Sequence, residues 1–297
     1  MTGGHKKDER QRDLTLKSLF RRISMLLVLS PKLRYLRLLS VSPKWFRLTK
    51  MYILKYNFRY NVLSAVISPS DVVADIGSHQ GGLAIFFANL VGPHGHVHAF
   101  EPIPSTFETL SMNISAIHLN NRVTLNNVAL SDERGRTVVN IPSSGTQGAS
   151  LTLHNFGQFW SHEGVTSLRC ETETLDNYLR DNFIRSIDFV KIDVEGAEML
   201  VLRGMGETLS ARIPPALMLE IFPPFLGDFG FNVEDLFLLL HSHRYVIYYI
   251  GKTSLVECPT AQEALELISF PDGVDFLCVA PEKLQELSWK LPWLRTP

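Results

Sequence analysis

The stretch VVADIGSHQGG, Val72 to Gly82, runs a short β-branched segment straight into glycines at positions 77, 81 and 82. An acid, Asp75, stands two positions before the first of them. An apolar run of strand length that meets glycine and then an apolar helical stretch, Leu83–Val91, reads as strand, tight turn and helix. Glycine permits the sharp turn and lets a ligand approach the backbone.

The same unit repeats outward from this point. Val97–Phe100 reads as a second strand followed by a helix over Ser105–Ile117, and Val123–Val128 as a third strand. Ile187–Ile192 and Ala216–Ile221 are apolar runs followed by helical pattern, and Tyr245–Ile250 and Phe276–Ala280 close the chain as strands. Thr137–Ile141 reads as an extended excursion, leading into a polar, glycine-containing loop from Ser143 to Gly164. Alternating strands and helices predict an α/β fold, a mostly parallel sheet with helices on both faces. Ligands of such sheets bind beyond the carboxyl ends of the strands, where strand order reverses.

The composition is that of an ordinary folded domain: 297 residues, 45% apolar and 20% charged, net charge −1. That balance conceals an asymmetry. Residues 1–60 carry 15 Lys/Arg against 3 Asp/Glu, and the remaining residues carry 14 against 27. The shift predicts a boundary near residue 60, with a basic helical N-terminal extension over 1–60 and the main domain over 61–297. Three widely spaced cysteines form neither a disulfide framework nor a zinc pattern, which points to a reducing, cytoplasmic setting. No apolar run is long enough to cross a bilayer, and early acids argue against a secretory signal.

The residues that follow each strand carry the chemistry. A dinucleotide turn needs G-x-G-x-x-G, so that a helix N-terminus can take the pyrophosphate. Here the spacing is Gly-x-x-x-Gly-Gly with an acid ahead of it, and a carboxylate there would repel phosphates. It better suits the amino group and sulfonium of S-adenosylmethionine. Glu101, ending the second strand, can accept two hydrogen bonds from ribose hydroxyls. The segment Ile187–Glu198 places Asp193, Glu195 and Glu198 at a strand-to-helix junction, and Leu219-Glu220-Ile221 adds a carboxylate at the next strand end. Helix-dipole complementarity accounts for Glu198. It does not account for Asp193, which should face the cleft.

Taken in order, Asp75–Gly81, Phe100-Glu101-Pro102, Val128–Asp132, Thr174-Leu175-Asp176, Ile187–Glu198, Val201–Gly204 and Leu219–Ile221 resemble the FkbM-type S-adenosylmethionine-dependent methyltransferases. The resemblance covers roughly residues 65–250. It implies the class I methyltransferase fold, a Rossmann-like seven-stranded sheet whose last strand runs antiparallel. It implies S-adenosylmethionine held by Asp75, Gly77, Ser78 and Gly81, its ribose on Glu101 and Pro102, and its adenine near Ile103, Ala129 and Leu130. The resemblance departs at Ser78-His79, where family members often carry Ala-Asn.

Family acceptors imply O-methylation of a hydroxyl on a sugar, glycan, glycolipid or secondary metabolite. The expected catalytic set is Asp193, Glu195 and Glu220, orienting or deprotonating the acceptor. Mg²⁺ held by Asp193 and Glu220 is the less favoured alternative. The loop residues Thr146, Gln147, His154, Asn155, Trp160 and His162 suit a lid over a polar acceptor. Asp176 is expected to cap a helix.

Competing readings are a nicotinamide-dependent oxidoreductase, which lacks its glycine fingerprint, and a non-catalytic module docking on membrane or polyanion. Nucleic acid is not an expected partner, because the body of the chain is acidic. Residues 14–39 alternate Leu, Ile and Phe with Lys and Arg, so they serve either as a packed cap or as a helix lying peripherally on the inner face of a membrane. Co-sedimentation with vesicles separates the two. A membrane helix requires anionic lipid, releases with salt and loses binding with the basic segment; a cap leaves partition unchanged when that segment is removed.

Overall fold

The computed structural model describes residues 58–154, 164–268 and 273–290. The basic segment before Phe58, with residues 14–39, and the lid residues Asn155, Trp160 and His162 lie outside the described residues.

Eleven strands are found among the described residues: β1 Val72–Ile76, β2 His96–Phe100, β3 Val123–Asn126, β4 Ala129–Leu130, β5 Gly135–Ile141, β6 Thr166–Glu173, β7 Phe189–Ile192, β8 Ala216–Ile221, β9 Val246–Ile250, β10 Leu255–Glu257 and β11 Val274–Val279. Eight form one sheet in the order β10-β9-β11-β8-β7-β1-β2-β3. The run from β3 through β8 is parallel, and β11 pairs antiparallel with both β8 and β9. Every strand expected for this sheet is present. The count is eight instead of seven because β10 folds back on β9 as a short antiparallel edge.

Strand order reverses at β1, whose neighbours are β2 on one side and β7 on the other. The crevice beyond β1 and β7 is therefore the ligand position that the topology prescribes. Both strands are short and almost wholly buried, as strands covered on both faces must be.

Sequence reading missed a second, three-stranded sheet in the order β4-β6-β5. The strand β6 alternates exposed and buried residues, but its polar content (TSLRCETE) concealed it. Its inner side chains join Ile103, Ala129, Val139 and Cys170 in a small apolar cluster separate from the main core. The helix Phe58–Val66 runs across position 60, where the charge asymmetry changes, and buries Phe58, Val62, Leu63 and Val66.

Two family-like motifs resolve into one structural joint. Thr174 caps the helix Leu175–Asp181, accepting from Asn177 N at 3.1 Å. The Asp176 carboxylate reaches across to the next helical pair, accepting from Glu207 N at 2.8 Å, Thr208 N at 3.0 Å and the Thr208 hydroxyl. Gly204 sits so close to Ser131 that an added Cβ would lie 1.9 Å from its carbonyl oxygen. Asp176→Ala leaves these donors unpaired and should lower the unfolding free energy by about 1–3 kcal/mol, measured by denaturant titration. S-adenosylhomocysteine affinity should be unchanged, since the joint lies away from the crevice.

Candidate active site

Four strand ends, those of β1, β2, β7 and β8, border a cavity of about 330 Å³, within the range of small-molecule pockets. Gly77, Glu101, Asp193, Glu195 and Glu220 all line it. Pro102, Ile103, Ala129 and Leu130 line it too, and the apolar wall they form is completed by Val139 of β5. Carboxylates far apart in sequence thus meet in one chamber with an apolar pocket at its side.

Asp75, Ser78 and Gly81 do not reach the cavity surface. Asp75 is fully buried, and neither carboxylate oxygen has a hydrogen-bond partner. Ser78 donates its hydroxyl to the Asp75 carbonyl at 2.7 Å. Gly81 precedes the helix Gly82–Val91 with φ of 89°, a left-handed position where a Cβ would strike Leu110 at 2.5 Å. These three shape the turn from behind. Gly77 is at the wall itself, with φ of 76°, and a Cβ there would lie 1.8 Å from the Asp193 carbonyl oxygen.

Asp75 faces Lys191, its register partner on β7. Lys191 is the group that sequence reading overlooked: an ammonium inside the four-residue buried strand FVKI. Its Nζ lies 2.9 Å from Asp193 Oδ2 and 3.7 Å from Asp75 Oδ1, and donates to the Gly77 carbonyl at 3.0 Å. Burial works against the ammonium, but Asp193 and Asp75 outweigh it and hold Lys191 charged. Burial would likewise raise the Asp193 carboxyl; Lys191, then Arg59, prevail and hold it below the usual range. Asp75 has no such direct bond, and burial leaves its carboxyl raised.

The other acids behave oppositely. Burial, reinforced by Asp193 and Glu198, pushes Glu195 up to about 9. Burial, then Asp193 and Asp275, pushes Glu220 up to about 8 against the pull of Arg59. Burial also carries Glu101 to about 7, although its oxygens accept from His79 N at 2.9 Å and Ile103 N at 3.0 Å. Those bonds leave further lone pairs on each oxygen to receive ribose hydroxyls. A cavity of this size, an apolar wall and an oriented carboxylate together fit an adenosyl cofactor.

The turn after β7 is strained and braced. Glu195 has φ of 52°, rare for a side-chain-bearing residue, and Gly196 follows at 99°. Glu198 accepts from Gly196 N at 3.1 Å and Val194 N at 3.3 Å, so it supports the turn as well as opening a helix. From the loop, Ser150 donates to the Glu195 carbonyl at 2.8 Å, and His154 Nε2 lies 3.0 Å from the same oxygen. His154 is fully buried, stacked on Phe225, with Nδ1 2.9 Å from Asp228. The described part of the loop also places Thr146 and Gln147 on the cavity, and His79 Nε2 lies 3.0 Å from Thr146 Oγ1. Among the described residues no group of three His, Cys, Asp or Glu side chains is arranged to hold a metal ion. Asp193 and Glu220 instead face protein cations, Lys191 and Arg59. No helix among the described residues is long and apolar enough to cross a membrane.

Comparison with known proteins identifies the family. The pattern of the methyltransferase FkbM domain matches residues 75–247, more than half of the chain, and the chain belongs to that family. It is 30% identical over 210 residues to the 2-O-methyltransferase NoeI of Sinorhizobium fredii, covering 60% of this chain and 82% of that one. It is 29% identical over 169 residues to the 31-O-demethyl-FK506 methyltransferase FkbM of Streptomyces tacrolimicus, covering 50% and 64% respectively. A solved structure of methyltransferase FkbM from Methylobacillus flagellatus aligns with a TM-score of 0.43 at 14% identity, over 70% of this chain and 43% of that one. The protein is thus an S-adenosylmethionine-dependent methyltransferase, which sets the nicotinamide reading aside.

The raised carboxyls have a consequence for stability. An unfolded Glu titrates near 4.3, whereas Glu198 and Glu101 titrate at about 7, Glu220 at about 8 and Glu195 at about 9. Between those limits these four carboxyls hold more protons folded than unfolded, which makes stability fall as pH rises. His79, His96, His98 and His154, lowered by burial, oppose them only below about 6.5, the unfolded histidine value. The melting temperature of the ligand-free protein should therefore decline from about pH 6.5 to about pH 9, where the carboxyls act unopposed by the histidines. Glu195→Gln should flatten the upper part of that decline in calorimetric scans; an unaltered slope would remove Glu195 from the account.

Proposed function

We propose that the protein transfers a methyl group to a hydroxyl of a sugar, glycan, glycolipid or hydroxylated secondary metabolite. The observation that carries this reading is the meeting of Asp193, Glu195 and Glu220 at one end of a cavity whose other walls suit an adenosyl group. The name of the Sinorhizobium relative, a 2-O-methyltransferase, supports oxygen as the acceptor atom.

Bound S-adenosylmethionine supplies an electrophilic methyl group on a cationic sulfur. Glu101 would accept from its ribose, Ile103, Ala129, Leu130 and Val139 would enclose its adenine, and the Gly77 backbone would take its methionine end. The chain's remaining task is to align the acceptor oxygen and take its proton. Asp193, fixed by Lys191 and held ionised, is a weak base and a firm hydrogen-bond acceptor, so it orients the hydroxyl. Glu220, with proton affinity near working pH, is better matched to proton removal. Glu195 keeps its proton at neutral pH and donates to a second acceptor oxygen. Ser150 and His154 hold its backbone while it does so.

The test uses methyl-labelled cofactor with a panel of glycans, glycolipids and hydroxylated metabolites, and mass analysis of the product. Turnover should rise with pH through about 8, the Glu220 midpoint. Glu220→Gln and Asp193→Asn should each lose roughly 10²-fold or more in turnover while binding S-adenosylhomocysteine within a few-fold of wild type, on the order of 1 kcal/mol. Full turnover in both variants sinks the assigned roles, and abolition of turnover by a chelator would give these acids to a metal.

A further inference from the structure

Glu220 and Asp275 are register partners across the antiparallel pair β8 and β11. Like charges placed directly opposite on neighbouring strands repel and destabilise the pairing. A cation answers them from a third element. Arg59, on the helix Phe58–Val66, brings Nη1 to 3.5 Å from Glu220 Oε2 and 3.2 Å from Asp275 Oδ2. The side chains of Arg59, Glu220 and Asp275 are 23%, 36% and 16% exposed, so solvent screens this group less than a surface ion pair. Of the two acids only Glu220 lines the cavity. Arg59 and Asp275 both lie outside residues 75–247, the span that matches the family pattern.

We propose that Arg59 is a positioning residue of the acceptor end: one guanidinium shared between Glu220 and Asp275 fixes the Glu220 carboxyl at the cavity wall and sets how firmly it holds a proton. The role of Glu220 in proton removal is taken from the reaction proposed above. A planar guanidinium can face two carboxylates at once, which a compact ammonium does less well.

The charged groups bearing on Glu220 come from three elements. Asp193 and Lys191 act from the end of β7, Asp275 from β11 and Arg59 from the helix Phe58–Val66. Glu195, just past β7, is coupled to it as well. Within this set Arg59 favours the ionised carboxylate and Asp275 the protonated one. Their removal must therefore displace Glu220 in opposite directions, which loss of a merely structural contact would not do.

The experiment follows side-chain carboxyl resonances in the full chain labelled with ¹³C at glutamate, the Glu220 signal being assigned by its absence in Glu220→Gln. Arg59→Gln should raise the Glu220 midpoint by about one pH unit or more, Asp275→Asn should lower it, and Arg59→Lys should fall between wild type and Arg59→Gln. Calorimetry with S-adenosylhomocysteine should give wild-type affinity in all three, because the substitutions lie away from the cofactor walls. A midpoint that stays put, or moves the same way in Arg59→Gln and Asp275→Asn, overturns the proposal. If Arg59→Gln does not fold, Asp275→Asn and Arg59→Lys still decide it by the same criterion. Opposed shifts in the two variants, together with a wild-type chain that binds no S-adenosylhomocysteine, would support the role of Arg59 and overturn the methyltransfer reading.

Discussion

The buried ammonium of Lys191 is the charge around which the crevice is arranged. It stands opposite Asp75 in the β1–β7 register, bonds Asp193 and donates to the Gly77 carbonyl. A lone carboxylate with the burial of Asp75 would be costly without a cation nearby, and removing one partner of a buried pair destabilises by about 3–5 kcal/mol. One side chain therefore neutralises the base of the turn, fixes the acid at the next strand end and ties down the glycine at the cavity wall. The adjacency of β1 and β7 that makes this geometry available is the same strand-order reversal that opens the crevice.

From that centre the acids separate by environment. Asp193 stays ionised because Lys191 bonds it directly. Glu195 and Glu220, one step farther from the ammonium and close to Asp193, retain protons at neutral pH. Similar carboxyl groups within one cavity are thereby set apart in how firmly they hold a proton, the kind of separation from which acid and base roles are made. The strained φ of Glu195 persists because Ser150, His154 and Glu198 surround that turn with hydrogen bonds.

Much of this was legible in the chain itself. Apolar runs bounded by glycine and acids marked the seven main strands to within a few residues, since strands buried on both faces have little freedom of composition. Glu101, Asp193, Glu195 and Glu220 were legible because each follows such a run, and the sheet brings their strand ends together. What escaped had a physical reason. Of the second sheet only β5 was legible, as the extended run Thr137–Ile141; β4 is two residues long and β6 has a polar outer face, so no apolar run announces either. Lys191 was readable in principle as a charge inside an apolar strand. Arg59 was not, because it is one basic residue among many and its partners lie more than 150 positions away. Asp75, conspicuous in the sequence as a ligand for the cofactor, is found behind the wall, opposite Lys191.

The small sheet also bears on how the cavity is covered. Val139 of β5 closes the apolar wall beside Ile103, and the chain leaving β5 brings Thr146, Gln147 and Ser150 over the acids. This segment lies between β3 and β7 and contributes no strand to the main sheet. Its side chains meet the cavity without taking part in the register of the parallel core. The covering of the cavity and the frame that holds its acids are thus supplied by different stretches of one polypeptide, joined at the Glu195 carbonyl by Ser150 and His154.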